Sequence, residues 1–218
     1  MNDAEKTWVD FLTYPTGKRN SKPRNQGLTM VIDKGLGLGE TRDILNIGAQ
    51  HIDIMKLGFG TSALYSPGIL MEKIEMIKMQ GIDVYPGGTF LEIAIMQNKL
   101  QEYLQLAREL GFTTIEVSDG TIEMTDEVRE RAIKTATQMN FKVLTEVGKK
   151  EDIYKTSISV LVKMALSDLE HGAWKVILEG RESGMGVGLY DEAGNIIQEE
   201  LAQMVEGVGD PSLIIWET

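Results

Sequence analysis

The sequence has no cysteine, which excludes disulfides, thiolate metal sites and cysteine nucleophiles, and suits a cytosolic protein. It has no run near the roughly 20 apolar residues of a membrane span. Its opening, MNDAEKTWVD, carries neither the apolar core nor the small-residue cleavage site of a secretory signal. The expected setting is therefore the cytoplasm, with no membrane partner. Only two histidines occur, His51 and His171, and both fall at helix-to-strand joints, where a structural role is expected. Basic charge is in deficit: 22 Lys and Arg stand against 33 Asp and Glu, a formal net charge of -11. Such a surface repels a phosphate backbone, so nucleic acid is not an expected partner. It does not prevent a local basic pocket from taking a small anion. Walker, nucleophile-elbow and zinc motifs are missing, and Gly35-x-Gly37-x-Gly39 lacks the G-x-G-x-x-G spacing of a dinucleotide site.

What the chain does contain is ordinary globular material, 42% hydrophobic and 25% charged over 218 residues, enough for one sizeable core. Residues 1–27 show no periodicity and hold two of the five prolines and the basic residues Lys18, Arg19, Lys22 and Arg24. They are expected to form a solvated lead-in, with an anion-binding arm as the alternative. Residues 28–218 are expected to form a (β/α) barrel domain. Seven β-branched, apolar runs read as buried strands: Thr29 to Asp33, Ile52 to Leu57, Ile82 to Tyr85, Thr113 to Ser118, Phe141 to Val147, Trp174 to Glu179 and Ser212 to Glu217. Helical periodicity separates them, as in Leu100, Tyr103, Leu104, Ala107 and Leu110, or Val160, Leu161, Met164, Ala165 and Leu169. Gly81, Gly111 and Gly172 follow such helices in the C-cap place, and Asp126 is the expected N-cap of another. Glycines close six of the strands at intervals of 23, 29, 33, 28 and 32 residues, the length of a βα unit. The fold class is therefore α/β, a TIM (β/α)8-type barrel with only seven strands identifiable. The unit expected to be lacking is the C-terminal βα unit.

Charged residues gather where these strands end. They include Asp33 and Lys34, Lys56, Glu116 and Asp119, Glu146 with Lys149 and Lys150, Glu179 with Arg181 and Ser183, and Glu217. In a parallel α/β fold those ends form one face, where active sites are built. Burying each charge costs several kcal/mol, of the order of 3–5, unless it pairs or binds a ligand. Asp119, Glu146 and Glu179 are hard oxygen ligands suited to Mg2+, while Arg181 offers a bidentate fork for an anion. A desolvated lysine among them can serve as an acid or base. Such a set suits a reaction through an enolate-like intermediate. The run Gly184 to Gly188 reads equally as a lid or a plain turn, and the twelve methionines read as packing.

The strings DKG (Asp33 to Gly35), KLGFGTSA (Lys56 to Ala63), YPGGT (Tyr85 to Thr89), EVSDG (Glu116 to Gly120), TEVGKK (Thr145 to Lys150) and EGRESG (Glu179 to Gly184) resemble those of the phosphosulfolactate synthase family. The resemblance runs in order along successive strand ends from Leu28 to Thr218. It implies a TIM barrel enzyme, a carbon–sulfur lyase, that adds sulfite to phosphoenolpyruvate with Mg2+ and makes (2R)-phospho-3-sulfolactate for a coenzyme M pathway. By that resemblance Lys150 is the proton donor, with Lys149 beside it. Asp119, Glu146 and Glu179 are the candidate metal ligands, and Lys34, Lys56, Arg181 and Ser183 the candidate anion-binding residues. A homo-oligomer is allowed by the sequence and not required by it. Two other readings share the same residues. One is a stress-tolerance or interaction protein without catalysis, since relatives of the family include such proteins. The other is a Schiff-base aldolase using Lys56.

Overall fold

The computed structural model describes residues 11–13, 15, 17, 19–148, 156–180, 189–191 and 193–217. Among them strands and helices alternate. β1 (Met30–Asp33) leads to α1 (Leu38–Gly48), β2 (Ile54–Leu57) to α2 (Pro67–Lys78), and β3 (Asp83–Tyr85) to α3 (Gly88–Met96) and α4 (Leu100–Leu110). β4 (Thr114–Val117) is followed by α5 (Asp126–Gln138), β5 (Lys142–Val147) by α6 (Ile158–Glu170), and β6 (Lys175–Leu178) by α7 (Gln198–Val208), before β7 (Ile214–Trp216). Every apolar run expected to be a strand is one, trimmed at its ends.

All pairings are parallel and sequential, β1-β2-β3 in one sheet and β4-β5-β6-β7 in the other. The two sheets meet at Thr113, whose amide donates to the Val84 carbonyl (3.1 Å) while Val84 N donates to the Thr113 hydroxyl (2.9 Å). One curved wall results. β1 and β7 do not pair among the described residues. Their edges line a cleft of about 560 Å³ that takes in residues 27–32, Lys175 and residues 214–217.

Strand alternation divides the side chains. Met55, Leu57, Val84, Ile115, Val117 and Val143 face outward and join the helices in one large core. Val147, Val176, Leu178 and Ile214 do the same with α6 and α7. Ile54, Tyr85, Leu144, Ile177 and Ile215 point the other way and fill the barrel's interior. Each such buried aliphatic side chain contributes about 1.5–3 kcal/mol, so the interior layer is a stable floor for the polar residues above it.

One expectation is refined and one corrected. Residues 19–24 are mostly exposed, yet their basic side chains are docked across the N-terminal ends of the first strands. Arg24 Nε donates to Asp53 Oδ1 (2.9 Å), and Arg19 Nη2 to Asp53 Oδ2 (2.9 Å). Lys22 Nζ donates to the carbonyls of Ala49, Ile52 and Gln80. The basic side chains are satisfied by a carboxylate and by carbonyls left unshared at helix and turn ends. The N-cap of α5 is Thr125, not Asp126: its hydroxyl accepts from Val128 N (3.4 Å), and Asp126 lies in the first turn. Both residues suit a helix start, the hydroxyl as cap and the carboxylate against the positive end.

Candidate active site

Above the apolar floor the same inward face turns polar. The register aligns Ile32, Lys56 and Tyr85 across β1 to β3, and Glu146 with Ile177 across β5 and β6. Two residues after an inward apolar residue, four strands carry an inward charge: Ile54 and Lys56, Leu144 and Glu146, Ile177 and Glu179, Ile215 and Glu217. Lys56 Nζ sits 2.9 Å from Glu116 Oε2 and 3.3 Å from Glu146 Oε2, all three side chains being buried. Burial alone would discharge the Lys56 ammonium, but Glu116 and Glu146 outweigh it and hold its pKa well above the ordinary lysine range. Burial also pushes the Glu116 carboxyl upward, with the Lys56 ammonium pulling against it and Glu146 adding to it.

Glu116 is also anchored by a helix end. Gly88 N, in the first turn of α3, donates to Glu116 Oε1 at 2.7 Å, so the carboxylate lies at the positive end of that helix. A Cβ at Gly88 would fall 2.5 Å from that oxygen and still closer to the Ser118 hydroxyl. Only glycine lets the backbone approach so near, which explains the YPGGT string.

Glu146, Glu179 and Glu217 each present one carboxylate oxygen to a common point, these oxygens lying within 4.8 Å of one another. Mg–O bonds of about 2.0–2.1 Å set octahedral ligand edges of about 2.9 Å, so the three oxygens close around such an ion with shifts of about an ångström each. The donor set is all hard oxygen, and among the described residues Glu116 joins the three glutamates, with the ammonium of Lys56 between Glu116 and Glu146. This group fits a divalent cation.

Asp119 stands apart from that trio. Its loop is clamped by Glu92 of α3, whose carboxylate accepts from the Ser118 hydroxyl (2.5 Å), Gly120 N (3.1 Å), Thr121 N (2.8 Å) and the Thr121 hydroxyl (2.5 Å). Asp119 Oδ1 lies 3.4 Å from Arg129 Nη1. The DKG segment is shaped in a similar way. Asp33 Oδ1 accepts from Gly35 N and Leu36 N, each at 2.8 Å, and its Oδ2 is 2.5 Å from Lys73 Nζ. Lys73 is wholly buried and also donates to the Leu36 carbonyl and the Tyr65 hydroxyl. The neighbouring Lys34 is exposed, its ammonium 5.6 Å from the Phe59 ring centroid.

Of the residues singled out in the sequence, Lys56, Glu146 and Glu179 are thus brought together, while Asp119 and Lys34 lie around them. Lys149, Lys150, Arg181 and Ser183, and the run Gly184 to Gly188, lie outside the described residues. Glu217 joins Glu146 and Glu179 although the sequence reading gave it no ligand role; the two-residue step from Ile215 was the signal that marks it. Arg129, Glu92 and Lys73 carried no such signal, because they reach the site from helices.

Comparison with known proteins agrees with the strand-end strings. A family profile described as (2R)-phospho-3-sulfolactate synthase (ComA) matches residues 17–218. The phosphosulfolactate synthase of Methanothermobacter thermautotrophicus is 41% identical over 210 residues, covering 95% of this chain and 80% of the relative. That of Methanocaldococcus jannaschii is 42% identical over 194 residues, 88% of this chain and 77% of the relative. A putative lyase/mutase from Burkholderia cenocepacia shares the fold, with a TM-score of 0.58 at 13% identity over 88% of this chain and 68% of that one. With a parallel βα wall, acidic strand ends and this degree of identity, the chain belongs to the phosphosulfolactate synthase family.

Proposed function

We propose that this enzyme makes (2R)-phospho-3-sulfolactate by adding sulfite to phosphoenolpyruvate, with Mg2+ held by Glu146, Glu179 and Glu217. The observation that carries the reading is the carboxylate trio set above an apolar floor, with Glu116 and the Lys56 ammonium beside it among the described residues. Both substrates are anions, and such a cluster repels them unless a cation stands between. Mg2+ bound there supplies positive charge against the electrons that the substrate's carboxylate takes up.

The sulfur lone pair of sulfite attacks C3 of phosphoenolpyruvate and forms the C–S bond, while the C2–C3 π electrons move into the carboxylate as an aci-carboxylate. A proton delivered to C2 then restores the carboxylate and leaves the phosphate ester intact. Lys150 is the proposed donor, two residues beyond Gly148 at the end of β5, with Lys149 beside it. Lys34, Arg181 and Ser183 are the proposed contacts for phosphate, carboxylate and sulfite. Lys56 takes a different part from the anion contact expected of it: its ammonium fixes Glu116 and Glu146. That pairing also disfavours the Schiff-base aldolase, since an ammonium held in its charged form is not a nucleophile.

The test is direct. Purified protein with Mg2+ should consume phosphoenolpyruvate only when sulfite is present, yield a sulfonate that retains phosphorus, and lose that activity in a chelator. Sulfite-independent loss would reject the reading in favour of another reaction, and no loss at all would reject it in favour of a non-catalytic role.

A further inference from the structure

Arg129 lies on α5, on the far side of the strand wall from the glutamates, yet its guanidinium is buried and fully engaged. Nε and Nη2 each donate to Asp168 of α6 at 2.7 Å, a bidentate grip. Nη2 also donates to the main-chain carbonyl of Glu146 at 3.0 Å, and Nη1 lies 3.4 Å from Asp119 Oδ1. One side chain therefore joins two helices to the ends of β4 and β5, the strands that bear Asp119 and Glu146.

Stability alone is a poor account of this arrangement. A buried ion pair repays little more than its desolvation, and well-packed apolar residues commonly do as well. What an arginine adds is fixed direction: a planar fork with every donor aimed. Here the aim falls on the carbonyl of Glu146, which sets the plane of the peptide after it and so the direction of its side chain. The Glu146 carboxylate is held at its other end by Lys56. Among the described residues the Asp168 carboxylate hydrogen-bonds to no strand-end group, and its bidentate pairing keeps the fork from turning.

We infer that Arg129, locked by Asp168, is a positioning residue that holds Glu146 in the geometry the cation site needs. This rests on the metal site proposed above. Partners of this outer kind are worth about 10–100-fold in metal affinity or activity.

The test measures Mn2+ binding by electron paramagnetic resonance, Mn2+ standing in for Mg2+ as another ion that takes oxygen ligands in octahedral array, together with kcat and KM. Wild type, Arg129→Lys and Asp168→Asn are compared, each checked for native circular dichroism. Arg129→Lys keeps the charge and loses the fork. The expected result is a Mn2+ dissociation constant raised about tenfold or more and kcat lowered to a similar degree, with KM for phosphoenolpyruvate within about threefold. Asp168→Asn should move both in the same direction by a smaller factor, and it decides the matter if Arg129→Lys does not fold. Folded variants with metal affinity and kcat within about twofold of wild type, where wild type binds Mn2+, overturn this inference alone. A wild type that binds no Mn2+ overturns the metal site itself, and this inference with it.

Discussion

Asp53→Ala offers a measurement of how firmly residues 19–24 close the base of the barrel. Asp53 is buried just before β2, and its carboxylate accepts from Arg24 Nε and Arg19 Nη2 and from Thr29 N (2.9 Å). The Arg24 side chain is only 3% exposed, whereas that of Arg19 is 35% exposed. Removing the carboxylate strands the buried Arg24 charge, a loss of about 3–5 kcal/mol. The Arg19 pair adds little, about 0–1 kcal/mol, because solvent screens it. The orphaned Thr29 amide adds about 1–3 kcal/mol where water does not reach it. These losses overlap, and we expect roughly 4 kcal/mol in all, which at this chain length lowers Tm by about 8–16 °C. Urea unfolding followed by circular dichroism reads the change. Asp53→Ala with Arg24→Ala should recover part of the loss, since no buried charge then lacks its partner. The site is at the opposite end of the strands, so kcat of the folded variant should match wild type. A loss below about 1 kcal/mol would refute the docking of this segment.

Other substitutions probe the upper end of the barrel. Glu179→Gln and Glu217→Gln should each abolish most activity and weaken divalent-ion binding by calorimetry; full affinity in both would sink the carboxylate trio. Lys150→Ala should cut kcat by about 10²–10⁴-fold, the scale of a lost general acid, while KM for phosphoenolpyruvate stays close to wild type in steady-state assays. Gly88→Ala forces a methyl group against Glu116 and Ser118 and should cost about 1–3 kcal/mol in urea unfolding, together with a marked fall in kcat. Lys73→Met leaves Asp33 buried without its ammonium and should destabilise by about 3–5 kcal/mol; an unchanged melting curve would contradict the Asp33–Lys73 pairing.

How far the sequence discloses this molecule depends on the range of the interaction concerned. The seven strands are legible because each is a short run rich in apolar and β-branched residues, and α4 because its apolar stripe repeats at 3.6 residues. Lys56, Glu146 and Glu179 are legible because strand periodicity puts a charge two places past an inward apolar residue. The same rule marks Glu217, two places past the inward Ile215. Lys73, Glu92 and Arg129 are not legible at all. Each sits on a helix, where a charge ordinarily means solvent, and meets a principal partner 26, 39 or 40 positions away in the chain. The basic lead-in misleads for a related reason: its partners are mostly main-chain carbonyls, which every residue has and no sequence distinguishes.

The carboxylate trio has a mechanical consequence. Glu146, Glu179 and Glu217 stand at the ends of three consecutive strands, β5, β6 and β7, joined by parallel ladders. A cation shared by the three would then be a rivet as well as a chemical group, tying the end of β7 to those of β5 and β6. Amide exchange in Ile214–Trp216 should accordingly slow when the ion binds, and β2 and β5, hemmed in by ladders on both sides, should scarcely respond.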